Sequence, residues 1–350
     1  MSRRRWSLTV VAWVALAGLG STSAAACTDD DEPAAPPDGA DDGSPDERPD
    51  DQTAPVGEVG SDAWTELADA PLALTEVGVA AFEGELWTAG GLTAEGEVST
   101  AVQVYDPRTD TWRSGPDLPA PVHHASLVAA GPDLMVVGGF RSLAFDPVPD
   151  VLVLDGDGRS WVEGPALPGP RGAGAGAWDG ERLAYGGGVG DEGLADAVWV
   201  LAGPADDWTE AGTLSIAREH LAAASDGDGN VWFLGGRRGS LDTNLARVDR
   251  LTGTTVSAAG ELPTPRGGVT AFFSDRVGAC LAGGEAPDGT FAEVECIDAD
   301  GGTTALPPLG TARHGLGAAV IDGVAYVALG GPEPRLAVSG TIEALLVTDG

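Results

Sequence analysis

Arginine recurs at one phase of this chain. Arg171, Arg218, Arg266 and Arg313 stand about 48 residues apart, and His123, His124, His220 and His314 fall within two positions of the same phase. A guanidinium presents several N–H donors in one plane and suits carboxylates. An imidazole beside it titrates near neutral pH and can move a proton. Arg171, Arg218, Arg266, Arg313, His123, His220 and His314 are therefore a candidate site for an anionic ligand such as an acidic peptide or an acidic sugar. The competing expectation is structural, each arginine tying down a loop carbonyl or a carboxylate such as Glu219 or Glu261.

Other chemistry is sparse. The stretch DGDGN at 226–230 looks like a calcium loop, but it falls where neighbouring repeats carry a plain DG or EG turn. His123 and His124 are adjacent, and adjacent strand residues point to opposite faces, which argues against joint metal ligation. No GxSxG, HExxH or P-loop motif occurs. The expectation is a chain with no catalytic residue, metal or cofactor.

Composition narrows the partners. Of 350 residues, 54 are acidic and 19 cationic, for a net charge of −35, and every cation is arginine. Such a surface is repelled by nucleic acid and by anionic membranes. Arg3, Arg4 and Arg5 precede an apolar run from Leu8 to Leu19, so residues 1–26 read as an export signal, too short for a good membrane span. The run Ser2-Arg3-Arg4-Arg5-Trp6 resembles a twin-arginine signal. Ala24-Ala25-Ala26-Cys27 resembles the lipobox of bacterial lipoproteins, with alanine at 24 where that family prefers leucine; the resemblance implies a diacylglycerol on Cys27. Residues 27–61 are rich in acids and proline and almost without large apolar side chains, so they read as a disordered tether.

From residue 62 one pattern returns six times. A strand-like run ends in paired glycines at Gly90, Gly138, Gly186, Gly235, Gly283 and Gly330, and Trp64, Trp112, Trp161 and Trp208 mark a second phase that Val256 and Thr304 continue. Each period reads as four strands, a to d, with tight EG or DG turns between a and b. Four antiparallel strands per unit, repeated about an axis, describe a propeller. Cys280 in strand b and Cys296 in strand c of the fifth unit are placed for a cross-strand disulfide, the alternative being two buried thiols.

The glycine pair after the second strand, the aromatic residue 21–23 positions later and the arginine opening strand a resemble the kelch family. The resemblance spans residues 62–350 and implies an all-β, six-bladed propeller of four-stranded blades. Because the last unit lacks its strand d, residues 62–68 are expected to fill that place and close the ring. In such a ring the d–a and b–c connections share one face, and the arginine phase would surround the channel mouth there, joined by Arg141, Arg237, Arg238 and Arg335. By resemblance to kelch adaptors, the four strand-a arginines line the ligand face. The function expected is an exported, lipid-anchored, monomeric binding or scaffold module on the outer face of the cell membrane, for an anionic or carbohydrate ligand or a protein partner. Its membrane contact would be through the lipid alone. The alternatives are a sugar mutarotase of the six-bladed kelch kind, using Arg with His or Glu219, and a purely structural envelope protein.

Overall fold

The computed structural model describes residues 59–348. The export signal at 1–26, Cys27 and nearly all of the 27–61 segment lie outside the described residues. The described part is all-β apart from one short 3-10 turn at Leu241–Thr243.

Six four-stranded antiparallel sheets follow one another along the chain. Blade one consists of Gly78–Phe82, Glu85–Ala89, Val102–Asp106 and Thr111–Ser114. Blade four, equally regular, consists of Ala222–Ser225, Asn230–Leu234, Arg247–Thr252 and Thr255–Glu261. Strand a is built mainly from small residues, apart from Phe272 and Phe273 in blade five and the terminal Phe82 and Trp178, because it lines the axis, where six sheets converge and little volume is left. Strands b and c are buried on both faces and are correspondingly continuous in Val, Leu, Trp and Ile.

Blade six takes strands Gly317–Ile321, Val324–Ala328 and Ile342–Leu346 from the C-terminal end of the chain and its outer strand, Thr65–Glu66, from the other end. Thr65 pairs with Ala344 and Glu66 with Glu343, so the ring closes as the sequence predicts and the last sheet keeps no missing strand. The described contacts of this blade include residues before 62: Val59 joins its core and Gly60 accepts a backbone bond from Leu346.

The repeat markers are inter-blade fasteners. The indole N–H of Trp112 donates to Ala68 O, Trp161 to Pro116 O, Trp208 to Pro165 O and Trp64 to Pro307 O, all at 2.7–2.8 Å. Each bond reaches the blade before it, and Trp64 makes it across the closure. The second residue of each glycine pair donates its N–H to the carbonyl at the arginine phase of the next blade: Gly91 to Val122, Gly139 to Arg171, Gly188 to Arg218, Gly236 to Arg266, Gly284 to Arg313 and Gly330 to Leu74. These bonds shift the register by one residue in two blades. The working pair is Gly187-Gly188 in blade three and Leu329-Gly330 in blade six, not pairs opening at Gly186 and Gly330. At Gly139, with φ 103°, a Cβ would lie 2.5 Å from the Val122 side chain, so glycine there serves a close approach.

Cys280 and Cys296 face each other in register and are joined as a disulfide. Removing residues 62–68 strips blade six of its outer strand and the Trp64 bond. The truncated chain is expected to melt at a lower temperature and to be cut by protease first in blade six, as differential scanning calorimetry and limited proteolysis would record; an unchanged melt would count against closure.

Candidate functional site

Each blade opens strand a with three consecutive backbone positions of fixed role. The first is the arginine phase. The second makes an isolated bridge to the b–c loop of the same blade: Thr75 with Leu92, His123 with Phe140, Gly172 with Val189, Glu219 with Arg237, Gly267 with Glu285 and His314 with Gly331. These bridges put the d–a and b–c connections on one face. The third position has left-handed backbone in all six blades, at Glu76, His124, Ala173, His220, Gly268 and Gly315, with φ between 52° and 69°. Its N–H donates to the same position of the preceding blade, from His124 to Glu76 and onward round to Glu76 donating to Gly315, at 2.7–3.0 Å. Six peptide groups thus form a closed hydrogen-bonded ring at one end of the central channel.

The arginine phase is largely enclosed. Arg218, Arg266 and Arg313 have no exposed surface, which corrects the expectation that they surround the open mouth. Arg218 donates to Asp249 Oδ2 at 2.7 Å and to the carbonyls of Gly235, Phe233 and Ile216. Arg266 reaches Glu295, Glu293 O and Leu281 O, and Arg313 reaches Glu343, Leu329 O and Thr341 O. Burial pulls each guanidinium pKa down and the facing carboxylate opposes it. The carboxylates then hold the preceding d–a loop, through Ser215 N, Thr264 N and Gly310 N. Arg171, half-buried, has Trp199 where blades four, five and six carry an acid, and stacks 4.4 Å over its indole. The structural role expected of these arginines is the one they have, with Asp249, Glu295 and Glu343 as partners in place of Glu219 and Glu261. The readable signal was an acid 29–31 residues downstream in the three blades whose arginine is fully buried. Leu74 and Val122 replace arginine in the first two blades, and Gln103 of the first holds Leu72 through a neutral amide pair instead.

The histidines are brought together. His124 Nε2 lies 2.9 Å from His220 Nε2 and 3.2 Å from Glu76 Oε2. His123 Nδ1 is 2.5 Å from His124 Nδ1, and its Nε2 is 3.0 Å from Ser142 O. Strand alternation does not separate this pair because His124 is not in a strand; its positive φ turns its ring back onto His123. His220 Nδ1 abuts the Glu219 carboxylate, which also accepts from Arg237 Nε at 3.0 Å, while Arg237 NH1 binds Glu285 Oε1 at 2.7 Å. His314 stands apart, donating Nδ1–H to Gly331 O with its Nε2 3.8 Å from both Glu76 and Glu285. Burial pushes the His123 pKa down and those of His124 and His220 well down, the last two also through neighbouring positive charge, and burial raises that of Glu76. Phe145, left-handed at φ 58° on the b–c loop of blade two, packs its ring 5.2 Å from His123 and 5.7 Å from His124. Glu76, His124 and Glu285 were absent from the sequence-derived site. The channel below the ring, lined by strand-a residues of all six blades, has a volume of about 130 Å3, small beside the roughly 300–1,000 Å3 of pockets that enclose drug-sized ligands.

The class of protein defined by this geometry is a six-bladed propeller with a polar, imidazole-rich channel mouth. Residues 73–119 match the Kelch motif model. The chain is 28% identical over 222 residues to Kelch-like protein terF of Aspergillus terreus, covering 58% of this chain and 48% of that protein. It is 26% identical over 198 residues to Beta-scruin of Limulus polyphemus, covering 53% of this chain and 21% of that protein. The alignments thus span less than half of either relative. The solved structure of YjhT superposes with a TM-score of 0.67 at 14% identity, covering 78% of this chain and 95% of that one. The chain thus carries a Kelch motif in its first blade, resembles kelch-like proteins over more than half its length and has the propeller fold.

Arg218→Ala leaves Asp249 buried without its cation and is expected to cost about 3–5 kcal/mol in urea unfolding; a loss below 1 kcal/mol would contradict the strut role. The histidines give a pH dependence of definite sign. With folded pKa values below the unfolded value near 6.5, they contribute stability at neutral pH that is lost as pH falls below about 6.5, up to ~1.4 kcal/mol per pH unit for each histidine. Glu76, raised above 4.5, acts in the opposite sense between 4.5 and its folded value and offsets part of this. Urea midpoints measured from pH 7.5 down to 5.5 should therefore fall.

Proposed function

We propose that the chain is an exported, lipid-tethered binding or scaffold propeller that engages its ligand on the face formed by the d–a and b–c connections. The observation that carries this reading is the make-up of that face. Leu143, Phe145 and Leu336 are about half exposed on b–c loops of blades two and six. Leu143 and Leu336 both come within van der Waals reach of a side chain placed at Gly96, on the b–c loop of blade one. Exposed apolar side chains gathered on loops over a rigid scaffold are typical of recognition surfaces. Arg238 and Arg335, both exposed on b–c loops of this face, supply the cationic element that the buried arginines do not, so an anionic or carbohydrate ligand or a protein partner with an acidic, partly apolar contact fits it. The small channel volume favours a ligand position above the mouth rather than within it.

Export and tethering rest on the residues preceding the propeller: Arg3–Arg5 with the apolar run behind them, Ala24 to Cys27, and the acid- and proline-rich stretch after Cys27. The Cys280–Cys296 disulfide is in keeping with an oxidising compartment, and the chain would act there as a monomer on the outer face of the membrane. A second reading, a mutarotase-like enzyme acting on a sugar, is favoured by one observation: the Glu76 carboxyl and His124 Nε2 form an acid/base pair at 3.2 Å.

A thermal-shift screen of acidic sugars, neutral sugars and acidic peptides tests the binding reading. Hits are expected to lose their shift in Phe145→Ala and in Leu336→Ser combined with Arg335→Ala. Hits that ignore these changes would place recognition elsewhere. Any sugar hit is then followed by NMR anomer exchange, where acceleration abolished by Glu76→Gln would select the enzyme reading.

A further inference from the structure

The bonds around His124 and His220 determine which ring nitrogens carry protons. The carbonyl of Ser142 can only accept, so His123 carries its proton on Nε2 and presents a lone pair at Nδ1. That lone pair faces His124 Nδ1, so His124 bears its proton on Nδ1 and leaves Nε2 bare. On the other side His220 Nδ1 makes no hydrogen bond but abuts the Glu219 carboxylate, which has lone pairs alone to offer it, so the contact is tolerated with the proton on Nδ1 and Nε2 bare. The two bare nitrogens face each other at 2.9 Å, with the Glu76 carboxylate 3.2 Å from the first. A proton on Glu76 satisfies one of these nitrogens and leaves the other without a partner. Three lone-pair donors converging in a buried place are stable together when a cation lies among them.

We propose that Glu76, His124 and His220 bind one divalent first-row transition-metal ion of the zinc type, through the carboxylate and the two Nε2 atoms. The donor atoms all lie within 4.8 Å of one another. Two of their separations, 2.9 and 3.2 Å, are close to the edge of about 3.3 Å that a tetrahedral site with 2.0–2.1 Å bonds requires. Two imidazoles and one carboxylate leave at least one coordination position for water or a ligand, and imidazole selects against calcium and magnesium. Each histidine already has the outer support usual for a ligand: Glu219, held by Arg237, behind His220, and His123 behind His124. The backbone supports the same reading. Glu76, His124 and His220, like Ala173 in blade three, hold a left-handed conformation that disfavours non-glycine residues, whereas blades five and six meet the same requirement with Gly268 and Gly315. The fold therefore does not require these side chains at these positions. The proposal is independent of which ligand the outer face takes.

The test uses the metal-stripped full chain titrated with Zn2+ by calorimetry and with Co2+ by visible spectroscopy, without any organic ligand. One equivalent is expected to bind, with the intense Co2+ bands of a four- or five-coordinate nitrogen site, which the acidic segment after Cys27 cannot produce. His124→Gly with His220→Gly borrows the residue that the ring itself uses in blades five and six, so folding is retained, and affinity should fall at least 100-fold with loss of the Co2+ bands. Glu76→Gln provides a second variant that keeps volume and should lower affinity at least tenfold. Absence of stoichiometric binding in the parent chain, or equal binding in the double variant, would overturn the proposal and leave the three groups as hydrogen-bonded neighbours.

Discussion

Six peptide groups at the end of the channel donate each to the blade before, from His124 to Glu76 and on around the circle. A backbone in the ordinary strand conformation cannot do this, because it directs N–H groups within its own sheet. The left-handed residue that opens every strand a turns one donor out of the blade and toward its neighbour. A second circle, from the glycine pairs to the arginine-phase carbonyls, lies one step further from the axis and depends on the same kind of backbone reversal. Closed circles of this sort leave none of these peptide groups unmatched, which an open ring would not.

Around this frame the chain partitions its charge by depth. Its surface is strongly acidic, yet three arginines are completely enclosed, each spanning strands a, b and c of its blade and ending on an acid that grips the preceding loop. A lone buried cation would be costly, and the pairing with carboxylate and carbonyls makes it tolerable. Imidazoles occupy the next positions inward, where neutral polar groups are accommodated more cheaply than charges. Phe145 and the two exposed leucines finish the face on the outside.

The architecture was legible because its markers are independent and share a period. Trp64 lies one interval before Trp112, and together with the place left open in the last unit that put the first strand in the last blade. The triple glycine at 186–188 hid its register, since spacing does not tell which two of three glycines take positive φ; the hydrogen bond from Gly188 to Arg218 does. The site was legible by phase and not by direction. Strand alternation assigned His123 and His124 to opposite faces, and the left-handed turn at His124 defeats that rule. Glu76 carried no signal of its own, being a single acid among 54, and it joins the histidines only because the ring brings blades one, two and four to a common axis. The arginines were misplaced because phase along the chain is silent about depth; their acids in strand c held the missing information.

The pairing of Thr65 with Ala344 joins residues from opposite ends of the propeller. Every other blade is assembled from neighbouring sequence and can form as soon as its own stretch is available, whereas the last sheet must await the C-terminal strands. The first strand of the propeller to emerge is thus among the latest to dock, and until then its apolar residues Trp64 and Leu67 are without their cores. The stretch directly ahead of that segment is dense in acidic residues, and like charge of this kind discourages premature association while the circle is still open.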